Sequence, residues 1–161
     1  MDRLHRTRLL FGDKVIEKLK KSTVMVVGCG AVGSFAIEAL ARTGVGHIVV
    51  VDFDTVDVSN INRQLFALDS TIGVPKVDIA ISRIHDINPD TRVAAYNIRW
   101  DGATELDVRP DYVIDAIDDV VAKCDLIEFL VNNNIEFVSA MGAALKFDPT
   151  LIKDCTLNKT D

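Results

Sequence analysis

Five residues that are almost entirely β-branched and apolar, Thr23-Val24-Met25-Val26-Val27, run straight into Gly28-Cys29-Gly30-Ala31-Val32-Gly33. A helical pattern opens within those glycines and extends over 31–42. A strand, a GxGxxG loop and a helix in immediate succession leave few folds open. Gly28 permits the tight turn, Gly30 lets main chain approach a phosphate, and Gly33 lets the helix pack close to the sheet. The helix start offers free N–H groups and a positive dipole end to an anion. Asp52 ends the next apolar run, about twenty residues on, where a carboxylate accepts ribose hydroxyls. At this point an NAD enzyme, a nucleotide-binding domain of another kind and a purely structural glycine loop all fit.

The rest of the chain repeats the alternation. Residues 12–21 read as a short amphipathic helix with Val15, Ile16 and Leu19 on one side. Strands are expected at 23–27, 47–52, 91–97, 111–116 and 135–140, and helices at 76–88 and 120–132. Pro75 and Pro89 bracket the helix at 76–88. Strands alternating with helices predict an α/β, doubly wound, mostly parallel sheet of Rossmann-like topology. One domain accounts for 161 residues: an N-terminal arm and helix (1–22), a core (23–140) and a segment (141–161) with no clear period. The pattern predicts that the chain stops before the sheet is completed, at the start of a missing C-terminal segment.

A composition of 48% hydrophobic and 26% charged residues fits a globular core. No apolar run approaches the ~20 residues that span a bilayer. The opening Met1-Asp2-Arg3-Leu4-His5-Arg6 is too polar for a secretory signal. Cys29, Cys124 and Cys155 form no CxxC pair, so neither a zinc site nor a disulfide framework is read, and a reducing cytoplasm is the expected setting. Charge is uneven: residues 1–21 carry seven Lys/Arg against three acidic residues, +4 within a chain of −6, which leaves −10 on the remainder. Such an arm suits phosphates, an RNA backbone or an acidic partner; a solvated helix face is the plainer alternative.

A second constellation favours ATP. The stretch from Asp52 to Gln64 is polar and rich in Asn, and carries Asn60 and Arg63; Gly73-Val74-Pro75-Lys76 then places a lysine at a helix start. Two cations near a nucleotide suit a site where charge builds on a reacting phosphate, which hydride transfer does not require. Without the surrounding motif, Arg63 and Lys76 would read as surface cations. Asp115-Ala116-Ile117-Asp118-Asp119 follows the next strand, where a carboxylate can hold Mg²⁺ against phosphate oxygens.

DxDxVxxSNxNRQ, then GxPK, then DAIDD, all after GCGAVG, resembles the ThiF/MoeB/HesA adenylyltransferases, bacterial relatives of ubiquitin-activating enzymes. The resemblance runs from about Arg6 to Asp148. It implies that Asp52 binds the ribose, that Asn60, Arg63 and Lys76 contact phosphates, and that Asp118 holds Mg²⁺. It also implies that Gln64 lines the site and that Arg6 reaches the neighbouring subunit's nucleotide in a homodimer. Asp54, Asp57, Asp115 and Asp119 are expected as turn, cap or strand-end residues.

Within the family, the residues from Ala39 to Gly46, Ile87-Asn88-Pro89, Asp115 to Asp118 with Lys123, Met141-Gly142-Ala143 and Asp148-Pro149-Thr150 are similar to the tRNA threonylcarbamoyladenosine dehydratase branch. Branches that activate sulfur carriers more often have Asn and Arg where this chain has Asp119 and Lys123. The implied reaction is ATP-dependent adenylation of the threonylcarbamoyl carboxylate on a tRNA adenosine, then closure to a cyclic hydantoin with net loss of water. Adenylation of a ubiquitin-like sulfur carrier's C-terminus is the alternative. Relatives of the first branch continue past the DPT motif with a segment bearing a further cysteine. Cys29 and Cys124 are expected to be packing residues.

Overall fold

The computed structural model describes residues 2–142 and 147–157. Met1, Ala143 of the Met141-Gly142-Ala143 motif, and 144–146 and 158–161 of the terminal segment lie outside the described residues.

Two helices come first. α1 (His5–Phe11) and α2 (Asp13–Lys21) meet at Gly12, whose φ of 80° breaks the helical path. The reading of 1–11 as an arm ahead of the first helix is corrected: Arg6 lies inside α1. The segment is anchored because Leu4 is buried and Arg3 Nη1 donates to Ile87 O at 2.9 Å. Arg8 binds both Asp2 and Asp13, tying α1 to the start of α2. α2 carries Asp13 in its first turn and Lys18, Lys20 and Lys21 in its last, charges that match the helix dipole.

Then the alternation begins: β1 (Thr23–Val27), α3 (Gly33–Thr43), β2 (His47–Val51), α4 (Lys76–Ile87), β3 (Arg92–Tyr96), β4 (Tyr112–Asp115), α5 (Val120–Asn132) and β5 (Glu136–Ser139). The five strands form one parallel sheet in the order β3-β2-β1-β4-β5. The chain leaves β1 toward β2 and β3, then returns to the far side of β1 with β4. That reversal puts a switch point between the carboxyl ends of β1 and β4, where ligands bind in such sheets.

Side chains alternate across the strands, and both faces are covered. Val24, Val26, Ile48 and Val50 pack with Ile37 and Ala41 of α3 and Val77, Ala80 and Ile84 of α4. Met25, Val27, Val49, Val51 and Val113 pack on the opposite face with Leu126 and Leu130 of α5. Trp100, from the long β3–β4 connection, closes that second face edge-on to Phe129, ring centroids 5.3 Å apart. Each fully buried Val, Ile or Leu contributes about 1.5–3 kcal/mol of transfer free energy, so the sandwich holds the switch-point loops on a rigid base. No helix among the described residues is long and apolar enough to cross a membrane.

Candidate nucleotide-binding site

The glycine loop leaves β1 at the switch point. Gly28 has φ 96°, where a side chain would be strained. A Cβ there would also meet Ala116 O at 2.6 Å, so the loop lies directly against the chain leaving β4. The helix folds back so tightly that a Cβ on Gly33 would fall 1.7 Å from Gly28 O. Gly30 is different: its nearest neighbour would be Gln64 Nε2 at 3.7 Å, an ordinary contact. Gly28 and Gly33 are therefore required by the protein's own packing, whereas Gly30 has room on the protein side.

Past the turn, Ser34 N donates to Gly30 O and Ala36 N to Val32 O, but the N–H groups of residues 30–33 have no acceptor among the described residues. Four adjacent open donors at the start of an eleven-residue helix form an anion cradle. The Cys29 N–H is not part of it, since it donates to Asp52 Oδ2 at 2.5 Å. The Cys29 side chain is fully buried; burial first, and the Asp52 charge second, push its thiol far up, so it is no nucleophile at neutral pH.

Asp52 stands at the end of β2, 9% exposed, holding the glycine loop through Cys29 and the next turn through Asp54 N at 2.8 Å. Asn60 is buried, and its Oδ1 accepts from Asp57 N in a reciprocal cap of the short 3-10 turn Val58–Asn60. Arg63 is exposed and donates to Ser59 O at 2.8 Å and to Asn62 Oδ1 at 3.0 Å. Gln64 is buried beside Gly30. Lys76 opens α4, and its Nζ lies 2.8 Å from Asp54 Oδ2.

Across the switch point, β4 ends in Asp115. This carboxylate is fully buried and takes Lys123 Nζ at 2.7 Å, Ser139 Oγ at 2.5 Å and Ile117 N at 3.0 Å. Asp119 caps α5 through Ala122 N; that hydrogen bond, with Arg99 at 2.7 Å behind it, holds its carboxyl below the usual range. Between these two anchored carboxylates stands Asp118, exposed and without a hydrogen bond or ion pair among the described residues. No three His, Cys, Asp or Glu side chains among the described residues converge as a metal cage. A cation at Asp118 would therefore draw its remaining ligands from phosphate and water, as Mg²⁺ commonly does.

Most of the residues named from sequence thus gather at the carboxyl end of the sheet. Arg6 does not: it lies on α1, exposed and unpaired among the described residues. Sequence reasoning assigned no partner to Asp54, Asp115 or Lys123. From sequence Lys123 serves only as a marker of the dehydratase branch; the signal that could have found its buried pairing is a lysine inside the apolar pattern Val120-Val121-Ala122-Lys123-Cys124. A cleft of about 380 Å³ opens at the other end of the sheet, between residues 104–110 and the end of α5. It is lined largely by carbon and lies away from the glycine loop, so the loop and the strand ends define the site.

A parallel sheet with open N–H groups and one unpaired carboxylate, Asp118, at its switch point defines a doubly wound, Rossmann-like nucleotide-binding domain. Residues 4–159 match the ThiF family, and the chain belongs to that family. It is 48% identical over 158 residues to tRNA threonylcarbamoyladenosine dehydratase of Bacillus subtilis (strain 168), covering 96% of this chain and 62% of that protein. It is 36% identical to the sulfur carrier protein adenylyltransferase of Thermus thermophilus, covering 92% of this chain and 55% of that protein. The crystal structure of E. coli tRNA N6-threonylcarbamoyladenosine dehydratase, TcdA, in complex with ATP superposes with a TM-score of 0.94 at 41% identity, over 98% of this chain and 66% of that one. The chain thus spans less than two thirds of the length of the curated relatives it matches.

Proposed function

We propose that this chain is the ATP-binding part of an enzyme that activates a carboxylate by adenylation, the carboxylate being that of threonylcarbamoyladenosine in tRNA. The observation that carries the adenylation reading is the pairing of four open N–H groups at residues 30–33 with an unpaired Asp118 across the same switch point. The tRNA acceptor is supported by the name of the 48% identical relative.

In this reading the open N–H groups of residues 30–33 and the Arg63 guanidinium hold the triphosphate, and Lys76 exchanges Asp54 for a phosphate oxygen. Asn60 and Gln64 line the phosphates, Gly28, Gly30 and Gly33 shape the loop, and Asp52 takes the ribose. Asp118 would hold Mg²⁺, which would offset charge on the reacting phosphates. ATP supplies the adenylyl group that makes the carboxylate oxygen a leaving group, with pyrophosphate released on adenylation and AMP on ring closure. The chain's own residues orient the phosphates and stabilise the charge that develops there.

The assembly in this reading is a homodimer in which Arg6 serves the partner's nucleotide. Beside Arg6, α1 exposes Leu9 (66%), Leu10 (75%) and Phe11 (57%), an apolar surface suited to a subunit contact. Free cysteines and an ATP-dependent reaction on tRNA fit a cytoplasmic setting.

A second reading, adenylation of a ubiquitin-like sulfur carrier's C-terminus, is favoured by the 36% identical relative. ATP–pyrophosphate exchange separates the two. The first expects exchange stimulated by tRNA carrying threonylcarbamoyladenosine; stimulation by a carrier protein alone would replace it with the second. Tighter binding of NAD than of ATP with Mg²⁺ would overturn both.

A further inference from the structure

Three lysines of α2, Lys14, Lys18 and Lys21, stand on one face of the helix at i, i+4 and i+7, all exposed. On a helical wheel that face is opposite the buried Ile16 and the half-buried Leu19. The basic residues around them are engaged: Lys20 pairs with Glu17 at 3.5 Å, and Arg8 binds Asp2 and Asp13. Lys14, Lys18 and Lys21 have no acidic partner among the described residues. Residues 1–21 are +4 in a chain of −6, so this face is the cationic exception on an acidic molecule.

We propose that the Lys14–Lys18–Lys21 stripe is a docking surface for the sugar–phosphate backbone of the RNA substrate. The inference rests on the tRNA reading above. Along the axis of α2 the three lysine positions are spaced by about 6 Å and about 5 Å, a row of point charges able to follow successive phosphates. Lysine suits this role because it binds phosphate as a point charge without reading sequence. The stripe is separate from the nucleotide crevice. α2 ends beneath the amino ends of the strands, where Leu19 O accepts from Gly46 N at 3.0 Å and Ser22 O from His47 N at 3.1 Å. The glycine loop is at the carboxyl ends. A folded RNA is large enough to span that separation, and contacts far from the reacting base fix its register while the base enters the crevice.

The test compares two triple variants with equal loss of charge. One is Lys14→Gln, Lys18→Gln, Lys21→Gln. The other is Lys20→Gln, Arg42→Gln, Arg83→Gln, which removes cations already paired with Glu17 or Glu38. Affinity for threonylcarbamoyladenosine-bearing tRNA is measured against salt, and affinity for ATP is measured alongside. The stripe variant should bind the RNA on the order of 10-fold more weakly near 0.1 M salt, with the slope of log K against log salt reduced by about 2. Its ATP affinity should stay unchanged and its melting temperature should fall by no more than about 4 °C, from the weaker match to the α2 dipole, and the paired-cation variant should bind RNA like the unaltered protein. Equal RNA binding by all three proteins overturns the docking surface while leaving the tRNA reading in place. Absence of RNA binding by the unaltered protein overturns both.

Discussion

Lys76 Nζ stands 2.8 Å from Asp54 Oδ2, with the lysine side chain 5% and the aspartate side chain 48% exposed. A buried cation is thus balanced by one half-exposed carboxylate at the mouth of the nucleotide crevice. Asp54→Asn leaves Lys76 without a counter-charge and should destabilise the ligand-free protein by about 1–2 kcal/mol, less than a fully buried pair because water reaches Asp54. Saturating ATP should recover part of that loss, since phosphate replaces the missing charge. Urea unfolding with and without ATP measures both. An equal loss in both conditions would show that Lys76 does not transfer to the nucleotide.

Asp118→Asn should leave folding intact and cripple chemistry. The side chain is exposed and has no partner among the described residues, so thermal melting should move by no more than about 1 °C. ATP–pyrophosphate exchange should fall by about 10²-fold or more, the scale of losing one electrostatic contact to the transition state. Near-normal exchange would place the metal elsewhere.

Two glycines three residues apart should respond in opposite ways. Gly33→Ala drives a methyl group into Gly28 O, main chain that cannot yield, and should cost about 3 kcal/mol or prevent folding. Gly30→Ala meets only Gln64 Nε2 at 3.7 Å and should fold with stability within about 1 kcal/mol of the original. It should nevertheless weaken ATP binding, because the new methyl occupies the approach to the open N–H groups. Chemical denaturation paired with nucleotide titration distinguishes the two effects.

Glu38 accepts from Arg83 at 2.7 Å and also pairs with Arg42, joining α3 to α4. Arg83, against a smaller opposing effect of burial, holds its carboxyl below the usual range, with Arg42 adding to the shift. A depressed folded-state value means that the stabilisation is fully present above the unfolded value of about 4.3 and is lost as pH falls through the folded value. Glu38→Gln should therefore be less stable than the original by about 1 kcal/mol or less at pH 7, and the two stability curves should converge below about pH 4. A constant difference down to pH 2 would show that the carboxylate charge is not the source.

The fold was legible because its signals are local. The two central strands β1 and β2 are buried runs dominated by β-branched residues, and Gly28, Gly33, Pro75 and Pro89 punctuate the chain where backbone geometry demands it. α1 was not legible: a seven-residue helix with no buried position has no apolar period to read. It is held by Arg3 and Leu4, whose partners at Ile87 and in the Gly44 turn are far away in sequence, and by Arg8, which ties it to the nearby Asp2 and Asp13.

By itself the sequence determined that a nucleotide-sized anion cradle would sit at the end of β1, since strand, glycine loop and helix are contiguous and their geometry follows from neighbouring residues. It also put Asp52, Asn60, Arg63, Gln64, Lys76 and Asp118 on segments that follow the strand ends, though not Arg6, which lies on α1. Only the tertiary structure decided their partners. Asp115 joins Lys123 and Ser139 because β4, α5 and β5 converge at one point, and Asp54 takes Lys76 across 22 positions of chain. Asp118, between the engaged Asp115 and Asp119, is left exposed with no partner among the described residues. Charge type is written in the chain, but whether a charge is spent internally or remains available depends on distances that packing alone sets.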